Sequence, residues 1–396
     1  MLDFQKLMPQ IMALAAEALP ESDKDSQILS LAQASFEEAS ANGQKLDEIL
    51  QNNRANTFWP IAMPLEPFGQ FQQIDLQDGE HSVVACDGSQ IMPTQHEVHS
   101  CFLLNVGAVI FHYGEKSRAQ LLSFPYLYHR HDDLYPLINQ RRVHIDETLV
   151  SFERGLKELE QAFELAQAEA QKGHKVLTLV DGSLVPFNVD KSADGFQKNL
   201  LERFEFQLES FSREKLPLIG YISHSRSSDL VNVLRVWNCP FPESRCQLYC
   251  GSINEEEFPC SKIWPLSDRQ LLVSKLPQFA RSNFFRSGSR WSTGLNHFNQ
   301  ICFSYFNIGQ EAARIEVPFW LFEDKALLQF ALSTLRTQIK KGQGYPISLA
   351  EAHNMAVIRQ ADRTRFYQLV TDELVREKQA GLGLSPKETK KRRSII

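Results

Sequence analysis

The chain is organised around the stretch VVACDGS (Val83–Ser89), in which four apolar residues lead directly into an aspartate and a glycine. Such a run predicts a buried strand, and an Asp-Gly pair is typical of the turn at a strand end. The same arrangement recurs in VLTLVDGSL (Val176–Leu184). One Asp-Gly pair is usually only a turn. Two copies behind buried-type strands favour a functional interpretation, in which neighbouring strands deliver Asp87 and Asp181 to one edge of a sheet.

The composition is that of an ordinary globular protein. Its 396 residues are 43% hydrophobic and 23% charged, which suits one large domain or two smaller ones. No run of about 18 apolar residues predicts a membrane span, and the N-terminus lacks the pattern of a secretory signal. Seven cysteines, an odd number, favour a reducing compartment, and we expect a cytoplasmic protein. A formal net charge of −6 means that any nucleic acid must meet local basic patches.

Hydrophobic periodicity predicts an α/β fold with an N-terminal helical arm at residues 1–57. Within the arm, the segment PESD (Pro20–Asp23) interrupts the pattern, so two helices are expected. The arm is either a packing appendage or a contact for a dimer or partner. The main domain, at residues 58–380, alternates helices with strands, which implies a partly parallel sheet. A basic flexible tail is expected at residues 381–396.

The expected elements of the main domain begin with an antiparallel meander. Its strands are Val83–Cys86, Cys101–Tyr113 and Ala119–Phe124. The expected helices are Ile145–Lys172, Leu200–Phe211, Asp229–Val236 and Asp324–Lys340, and further strands are Leu216–Ser223, Ile301–Phe306 and Ala313–Trp320.

Two aspartates on neighbouring strand ends supply the core of a site for hard divalent cations, because Mg²⁺ and Mn²⁺ prefer carboxylate oxygens. Two such ions about 4 Å apart can activate a water and stabilise the leaving oxygen in phosphodiester hydrolysis. A carboxylate from a packed helix and a histidine would complete the site. His353, on a helix that follows Tyr345, can supply the histidine. A core histidine bonded to a backbone carbonyl is the simpler interpretation of the local sequence.

Other reaction classes find no support in the motifs. The sequence has no Walker-type glycine loop with a lysine, so we do not expect ATP hydrolysis. It also has no Gly-x-Ser-x-Gly elbow, so a serine hydrolase is unsupported.

Four cysteines lie in one irregular segment: Cys239, Cys246, Cys250 and Cys260. Four thiols in a loop could bind zinc or an iron–sulfur cluster. Their spacing lacks the paired Cys-x-x-Cys pattern, so ordinary reduced cysteines are the favoured interpretation.

Four motifs, in order along the chain, resemble those of the NurA nucleases, a family that acts in DNA end resection beside the hexameric ATPase HerA. They are VVACDGSQ with Asp87, LTLVDGSL with Asp181, ARIEVPFW (Ala313–Trp320), and GYPISLAEAH followed by MAVI, with Tyr345 and His353. Together they span most of the chain, from Val83 to about Phe366. The resemblance implies an RNase H-like mixed sheet flanked by helices and a homodimer. It also implies Mn²⁺-dependent 5′-to-3′ exonuclease activity, with Mg²⁺ as the other possible cation and single-strand endonuclease activity in many members.

The resemblance also assigns site residues. Asp87 and Asp181 would be metal ligands and catalytic residues. His353 would be a ligand or a proton-transfer group, and Tyr345 would orient the substrate or a water.

The family also has a glutamate on the helix before the second aspartate. Arg154 followed by Glu158 looks most like the family pattern, so Glu158 is the preferred ligand and catalytic glutamate. Glu153 ranks second, because a helical wheel places Glu153 and Glu160 beside the apolar stripe, nearer the sheet edge. Glu147 lies on the same helix, and a solvated charge is the alternative for each of the four.

Arginines are the candidate contacts for DNA phosphates, namely Arg226, Arg281 and Arg286, with Arg290 as a further candidate. Arg226 follows the strand LPLIGYIS, where the family commonly has a lysine, and could replace that cation. For each of them, the alternative is an exposed charge without a ligand.

The leading hypothesis is a metal-dependent DNA nuclease that works in end processing and double-strand break repair with a HerA-type ATPase. The alternative is a non-catalytic NurA-like scaffold that binds DNA or the ATPase. A third interpretation is RNA cleavage, because DNA and RNA present the same phosphate to the cations. The aspartates in both Asp-Gly-Ser segments favour the enzyme over the scaffold.

Overall fold

The computed structural model describes residues 2–53, 56–77, 79–93, 100–114, 118–138, 140–185 and 194–377. The basic tail predicted at residues 381–396 lies outside these ranges. The chain divides into two compact units, each built from two segments. Unit 1 is formed by Met1–Asp75 and Ile222–Phe319, and unit 2 by Leu76–Tyr221 and Trp320–Ile396. The domain borders that we predicted near residues 57 and 380 stay a prediction.

Helices and strands are numbered along the whole chain. The helices are α1 (Phe4–Ala41), α2 (Gly43–Asn53), α3 (His131–Leu134), α4 (Glu147–Gln171), α5 (Asp194–Arg213), α6 (Asp229–Trp237), α7 (Cys246–Tyr249), α8 (Asp268–Leu272), α9 (Arg290–Gly294), α10 (Phe319–Glu323), α11 (Lys325–Lys341), α12 (Ile347–Ala356) and α13 (Gln360–Arg376). The strands are β1 (Met63–Pro64), β2 (Phe71–Gln73), β3 (His81–Ile91), β4 (Phe102–Tyr113), β5 (Gln120–Tyr128), β6 (Leu137–Ile138), β7 (Arg141–Arg142), β8 (Val176–Asp181), β9 (Leu218–Ile222), β10 (Ala280–Ser282), β11 (Phe285–Arg286), β12 (Ile301–Asn307) and β13 (Ala312–Pro318). Short 3₁₀ helices cover Glu255–Glu257 and Ser261–Ile263. Within the described ranges, no helix combines the length and apolar character needed to cross a membrane.

Unit 2 contains a mixed sheet with the strand order β9–β8–β3–β4–β5. Strand β3 is parallel to β8, and β8 is parallel to β9, whereas β4 is antiparallel to both of its neighbours. Helix α4 leads from the β3–β4–β5 meander into β8, and α5 leads from β8 towards β9. This mixed sheet flanked by helices confirms the predicted α/β fold class, and it is compatible with the RNase H-like sheet that the resemblance implies.

Helices pack on both faces of this sheet at two glycines. A Cβ atom at Gly88 of β3 would lie 2.3 Å from the Glu158 side chain of α4. One at Gly107 of β4 would lie 2.2 Å from the backbone nitrogen of Ala356 in α12. Gly107 pairs with Asp87, which precedes Gly88. Because successive residues of a strand point to opposite faces, α4 and α12 lie on opposite sides of the sheet.

The first Asp-Gly-Ser segment is not a turn, and that prediction was wrong. Strand β3 continues through Asp87 to Ile91, because its residues beyond Cys86 keep pairing with β4. The second copy ends its strand as expected. Strand β8 stops at Asp181, and Gly182 has a φ of +106°, a backbone conformation that favours glycine. The two copies share a sequence but differ in backbone conformation.

Unit 1 contains the N-terminal arm and an antiparallel strand pair. Strands β12 and β13 pair over their full length, which agrees with the two strands expected from ICFSYF and ARIEVPFW. Strand β11 pairs with β1 and β12, and β10 pairs with β2 and β12.

The arm is helical, but the break predicted at Pro20 is wrong. A single helix, α1, runs from Phe4 to Ala41. A proline inside a helix costs about 3 kcal/mol relative to alanine, and the Ala, Leu and Glu residues on both sides add little to that cost because they are among the best helix formers. In the second half of α1, Ala32, Phe36 and Ala39 are buried in the apolar core of unit 1, so this half of the helix is part of that core. The first turns expose apolar side chains, namely Phe4, Met8, Ile11, Met12 and Leu14.

We expect Gly107→Ala to lower the free energy of unfolding by about 1–3 kcal/mol, the usual cost of overpacking. The added methyl group would meet the backbone of α12 at Ala352 and Ala356, which cannot turn away as a side chain can. Gly155→Ala in α4 is the matched control, because a Cβ there meets nothing within 4 Å. That change should raise stability by about 0.5–1 kcal/mol. Urea unfolding measures the free energy of unfolding of both variants. Equal changes in the two variants would contradict this packing of α12.

Candidate active site

Asp87 and Asp181 lie at the same level on adjacent parallel strands. The pairing of β3 with β8 ends with Cys86 opposite Val180, and each aspartate is the next residue. Side chains at equivalent positions of parallel strands point to the same face of the sheet. Burial raises the pKa of Asp181, and the negative charge of Asp87 raises it further. A hydrogen bond from the Tyr345 hydroxyl acts in the opposite direction.

Glu158 of α4 brings a third carboxylate to the two aspartates. Burial raises the pKa of Glu158 to about 8; the Arg154 charge lowers it, and the charges of the aspartates raise it. Arg154 Nε lies 3.2 Å from Glu158 Oε1. The two atoms lack hydrogen-bond geometry, so Oε1 is a buried acceptor without a hydrogen-bond partner. Of the four glutamates considered, Glu158 is therefore the one that interacts with Asp87 and Asp181.

The other glutamates of α4 have different surroundings. Both carboxylate oxygens of Glu153 bind Arg203, at 2.5 and 2.7 Å. Glu160 binds Lys157, and Glu147 is exposed in the first turn of the helix. The helical-wheel argument for Glu153 and Glu160 was wrong. Helix α4 contacts β3 at Gly88, where the missing side chain leaves room for Glu158.

His353 lies beside Asp87, with its Nδ1 atom 2.7 Å from Asp87 Oδ2. The His353 side chain is 61% exposed, so the interpretation as a core histidine was wrong. The second oxygen of Asp87, Oδ1, accepts a hydrogen bond from the Gly88 amide at 2.8 Å. Asp87 thus orients an imidazole that solvent and a ligand can reach.

Tyr345 lies beside Asp181. Burial raises the pKa of Tyr345 far above its usual range, and the Asp181 charge adds to this, so the phenol stays protonated and donates its hydrogen bond. The rings of Tyr345 and Tyr221 pack edge to face, with centroids 5.4 Å apart. This packing holds the Tyr345 hydroxyl towards the carboxylate.

Helix α12 is fastened to the sheet at its last residue. The carbonyl oxygen of Ala356 accepts hydrogen bonds from Ser89 Oγ and, at 2.9 Å, from Asn105 Nδ2. Ser89 belongs to the first Asp-Gly-Ser segment, and the same segment therefore positions both Asp87 and the helix that carries His353.

A cleft of about 290 Å³ opens beside two of the three carboxylates, those of Glu158 and Asp181. Arg154 and Glu158 of α4 line one side, and Asp181 with Gly182 and Ser183 lines another. The cleft gives a ligand access to the end of β8.

The donor set fits hard divalent cations. It offers three carboxylates and one accessible imidazole, and Glu158 Oε1 is buried without a hydrogen-bond partner. In the part of the chain that the structure describes, no three donors of this site lie within 4.8 Å of one another.

The predicted phosphate contacts belong to unit 1, whereas the carboxylates belong to unit 2. Arg281 does not suit that role, because it is buried and binds both oxygens of Glu66 at 2.6 and 2.8 Å. Glu66 is 215 residues away in the sequence, so no local pattern could indicate the pair. The Arg286 guanidinium lies 4.1 Å from the centre of the Phe319 ring. Arg226 and Arg290 are exposed.

The four cysteines of the irregular segment have free thiols in unit 1, three of them buried. Burial raises the pKa of the Cys246 thiol, and Cys260, Cys250 and Cys239 raise it further, so the four lie near one another. Among the described residues, no three cysteine sulfur atoms lie within 4.8 Å of one another. They do not form the compact tetrahedral set that zinc requires.

A second group of potential metal ligands, His112, Glu169 and His174, lies elsewhere in unit 2. Glu169 and His174 are close in sequence, across the end of α4, but that spacing matches no metal motif. His112 lies beside them because of the register in which β4 pairs with β3. No sequence pattern indicates that register.

Comparisons with known proteins agree with the motifs. A model of the NurA domain family matches residues 81–358, well over half of the chain. The structure is similar to the crystal structure of the NurA nuclease from Sulfolobus solfataricus, with a TM-score of 0.42 and 14% sequence identity, over 78% of this chain and 89% of that chain. No curated protein sequence matches this chain.

We expect Gly88→Ala to displace the Glu158 carboxylate while leaving the fold intact. The new methyl group would lie 2.3 Å from Glu158 Oε1 and 2.8 Å from Arg154 Cγ, and both side chains can move. Mn²⁺ affinity, measured by calorimetry, should fall about 10–100-fold, as is usual when support for a metal ligand is lost. Gly43→Ala is the control, because a Cβ at Gly43 meets nothing within 4 Å. Unchanged Mn²⁺ affinity in Gly88→Ala would contradict the placement of Glu158.

Proposed function

Because the chain belongs to the NurA domain family, we propose that it is a nuclease that hydrolyses DNA phosphodiester bonds with divalent cations at Asp87, Glu158 and Asp181. One observation carries the proposal. Three carboxylates from β3, α4 and β8 interact at one edge of the sheet, and the Glu158 carboxylate is buried there with an oxygen that lacks a hydrogen-bond partner. The charge of Arg154 lowers the pKa of Glu158 but leaves it raised to about 8, and converging carboxylates with perturbed pKa values favour a functional role.

Asp87, Glu158 and Asp181 would hold the cations, for which Mn²⁺ is the first choice and Mg²⁺ the second. Bound in such a site, divalent cations lower the pKa of a coordinated water and stabilise negative charge on the leaving oxygen. Arg154 supports the ionised form of Glu158, because its positive charge lowers the pKa that burial raises.

The remaining residues orient groups and move protons. His353 is exposed and bonded to Asp87, so it can accept a proton from the attacking water or become a further ligand. Tyr345 donates to Asp181 and fixes the direction of that carboxylate. The exposed Arg226 and Arg290 and the half-buried Arg286 remain candidate phosphate contacts.

The finer assignments also belong to the proposal. The motif resemblance supports a 5′-to-3′ exonuclease with single-strand endonuclease activity, which processes DNA ends in the cytoplasm with a HerA-type hexameric ATPase. It also supports a homodimer, and the apolar residues exposed at the start of α1 are compatible with a contact to another chain. The nuclease domain would span residues 58–380.

Nuclease activity tests the proposal directly. Wild-type protein should cut end-labelled single- or double-stranded DNA with Mn²⁺ and not with EDTA. Asp87→Asn and Glu158→Gln should each lower the rate by about 10²–10³-fold, the usual cost of removing one charge-stabilising group at a reacting centre. Glu160→Gln, on the same helix but paired with Lys157, is the matched control and should keep wild-type activity.

Three results would contradict this account. Wild-type protein that cuts nothing with either cation, yet binds DNA or the ATPase, would favour the non-catalytic scaffold. Cutting that survives both Asp87→Asn and Asp181→Asn would place the active site elsewhere. Cutting of RNA in strong preference to DNA would overturn the substrate class.

A further inference from the structure

His112, Glu169 and His174 form a compact cluster at the other end of the unit 2 sheet. Their ligand atoms all lie within 4.8 Å of one another, and no other described group of three His, Cys, Asp or Glu side chains is this compact. His112 is near the end of β4, Glu169 is in the last turn of α4, and His174 precedes β8. Three separate elements therefore meet in this cluster.

One oxygen of Glu169 faces both imidazoles. Glu169 Oε2 lies 2.8 Å from His174 Nδ1 and 3.9 Å from His112 Nδ1. The other oxygen, Oε1, is bound by Lys172 Nζ at 2.6 Å. Lys172 thus fixes the carboxylate so that a single oxygen is directed into the cluster, as a monodentate ligand requires.

The Ser82 hydroxyl orients the two histidines from the other side. Ser82 Oγ lies 2.8 Å from His112 Nδ1 and 3.3 Å from His174 Nδ1. Ser82 pairs with His112 across β3 and β4, so this contact is set by the register of the sheet. Both Nδ1 atoms therefore point at the space between Ser82 Oγ and Glu169 Oε2.

The cluster is buried. The side chains of His112 and Glu169 are 5% and 1% exposed, and that of His174 is 18% exposed. Burial of polar and charged groups is costly unless they are paired or coordinate a metal. The partial exposure of His174 provides a path by which an ion can enter.

The donor chemistry differs from that of the carboxylate site. Two imidazole nitrogens and one carboxylate oxygen are ligands that Zn²⁺ and similar transition metals prefer, whereas Mg²⁺ and Mn²⁺ suit oxygen-rich sites. From this convergence of donors we propose that His112, Glu169 and His174 bind one Zn²⁺-class ion, which fastens the end of α4 to β4 and to the start of β8.

This site is separate from the carboxylates but acts on the same helix. Glu169 follows Glu158 by eleven residues of α4, which is about 16 Å along a helix. Ser82 precedes Asp87 by five residues of β3, which is about 16 Å along a strand. An ion here would hold the far end of the helix that carries Glu158.

The test uses the full-length chain with Asp87→Asn and Asp181→Asn, so that the carboxylate site is disabled. This metal-free parent should bind one Zn²⁺ per chain at the cluster in a calorimetric titration. With Co²⁺ as the probe, it should show the visible absorption of tetrahedral cobalt without the thiolate charge-transfer band that cysteine ligands produce. The cobalt spectrum thus separates this site from the four clustered cysteines.

Three variants of the parent decide which residues bind. Glu169→Gln and His174→Gln should each weaken Zn²⁺ binding by more than about 100-fold, beyond the 10–100-fold typical of residues that only support a ligand. His129→Gln, at an exposed histidine outside the cluster, is the matched control and should bind as the parent does.

A parent that binds no Zn²⁺ would overturn the proposal and leave the cluster as a hydrogen-bond network. Equal Zn²⁺ affinity in the parent and in a folded His174→Gln variant would also overturn it. If the ligand variants fail to fold, Ser82→Ala supplies the second test, because it removes only the hydroxyl beside both imidazoles. Its Zn²⁺ affinity should fall about 10–100-fold, and no change would count against the site.

Discussion

The buried carboxylate of Glu158 beside Asp87 and Asp181 is the constraint on which the proposed site depends. A rise of its pKa from 4.5 to about 8 corresponds to about 5 kcal/mol of free energy against ionisation. This figure already includes the favourable charge of Arg154, whose Nε atom lies near Glu158 Oε1 without forming a hydrogen bond. The fold therefore keeps three acidic groups in an arrangement that a divalent cation would relieve, and cations at this point supply the chemistry of phosphodiester hydrolysis.

Glycines make this arrangement possible, each in a different way. Gly88 gives the Glu158 side chain room against β3, and Gly107 lets the backbone of α12 contact β4. Gly182 instead provides the positive φ that ends β8 directly after Asp181. Because glycine has no side chain, these three positions allow a carboxylate, a helix and a strand end to meet at one edge of the sheet.

The sequence predicted the elements and the two aspartates because these depend on local patterns. Strand runs before Asp87 and Asp181 and the apolar stripe of α4 are visible without a structure. Long-range packing is not visible in the sequence, and this explains the predictions that were wrong. The continuation of β3 past Cys86 depends on β4, the burial of Arg281 depends on the distant Glu66, and the cluster of His112 with Glu169 and His174 depends on strand register. Motif resemblance pointed to Glu158, whose side chain contacts the sheet at Gly88, whereas the helical wheel favoured its neighbours because it contains no information about the space that Gly88 leaves.

Cations bound at the three carboxylates can be located by anomalous scattering. Crystals of the protein soaked in Mn²⁺ would be measured at a wavelength where manganese scatters anomalously. We expect anomalous peaks in contact with the carboxylates of Asp87, Glu158 and Asp181, and their loss in crystals of Asp87→Asn. Well-diffracting crystals with no peak at these carboxylates, or with manganese only at His112, Glu169 and His174, would contradict this expectation.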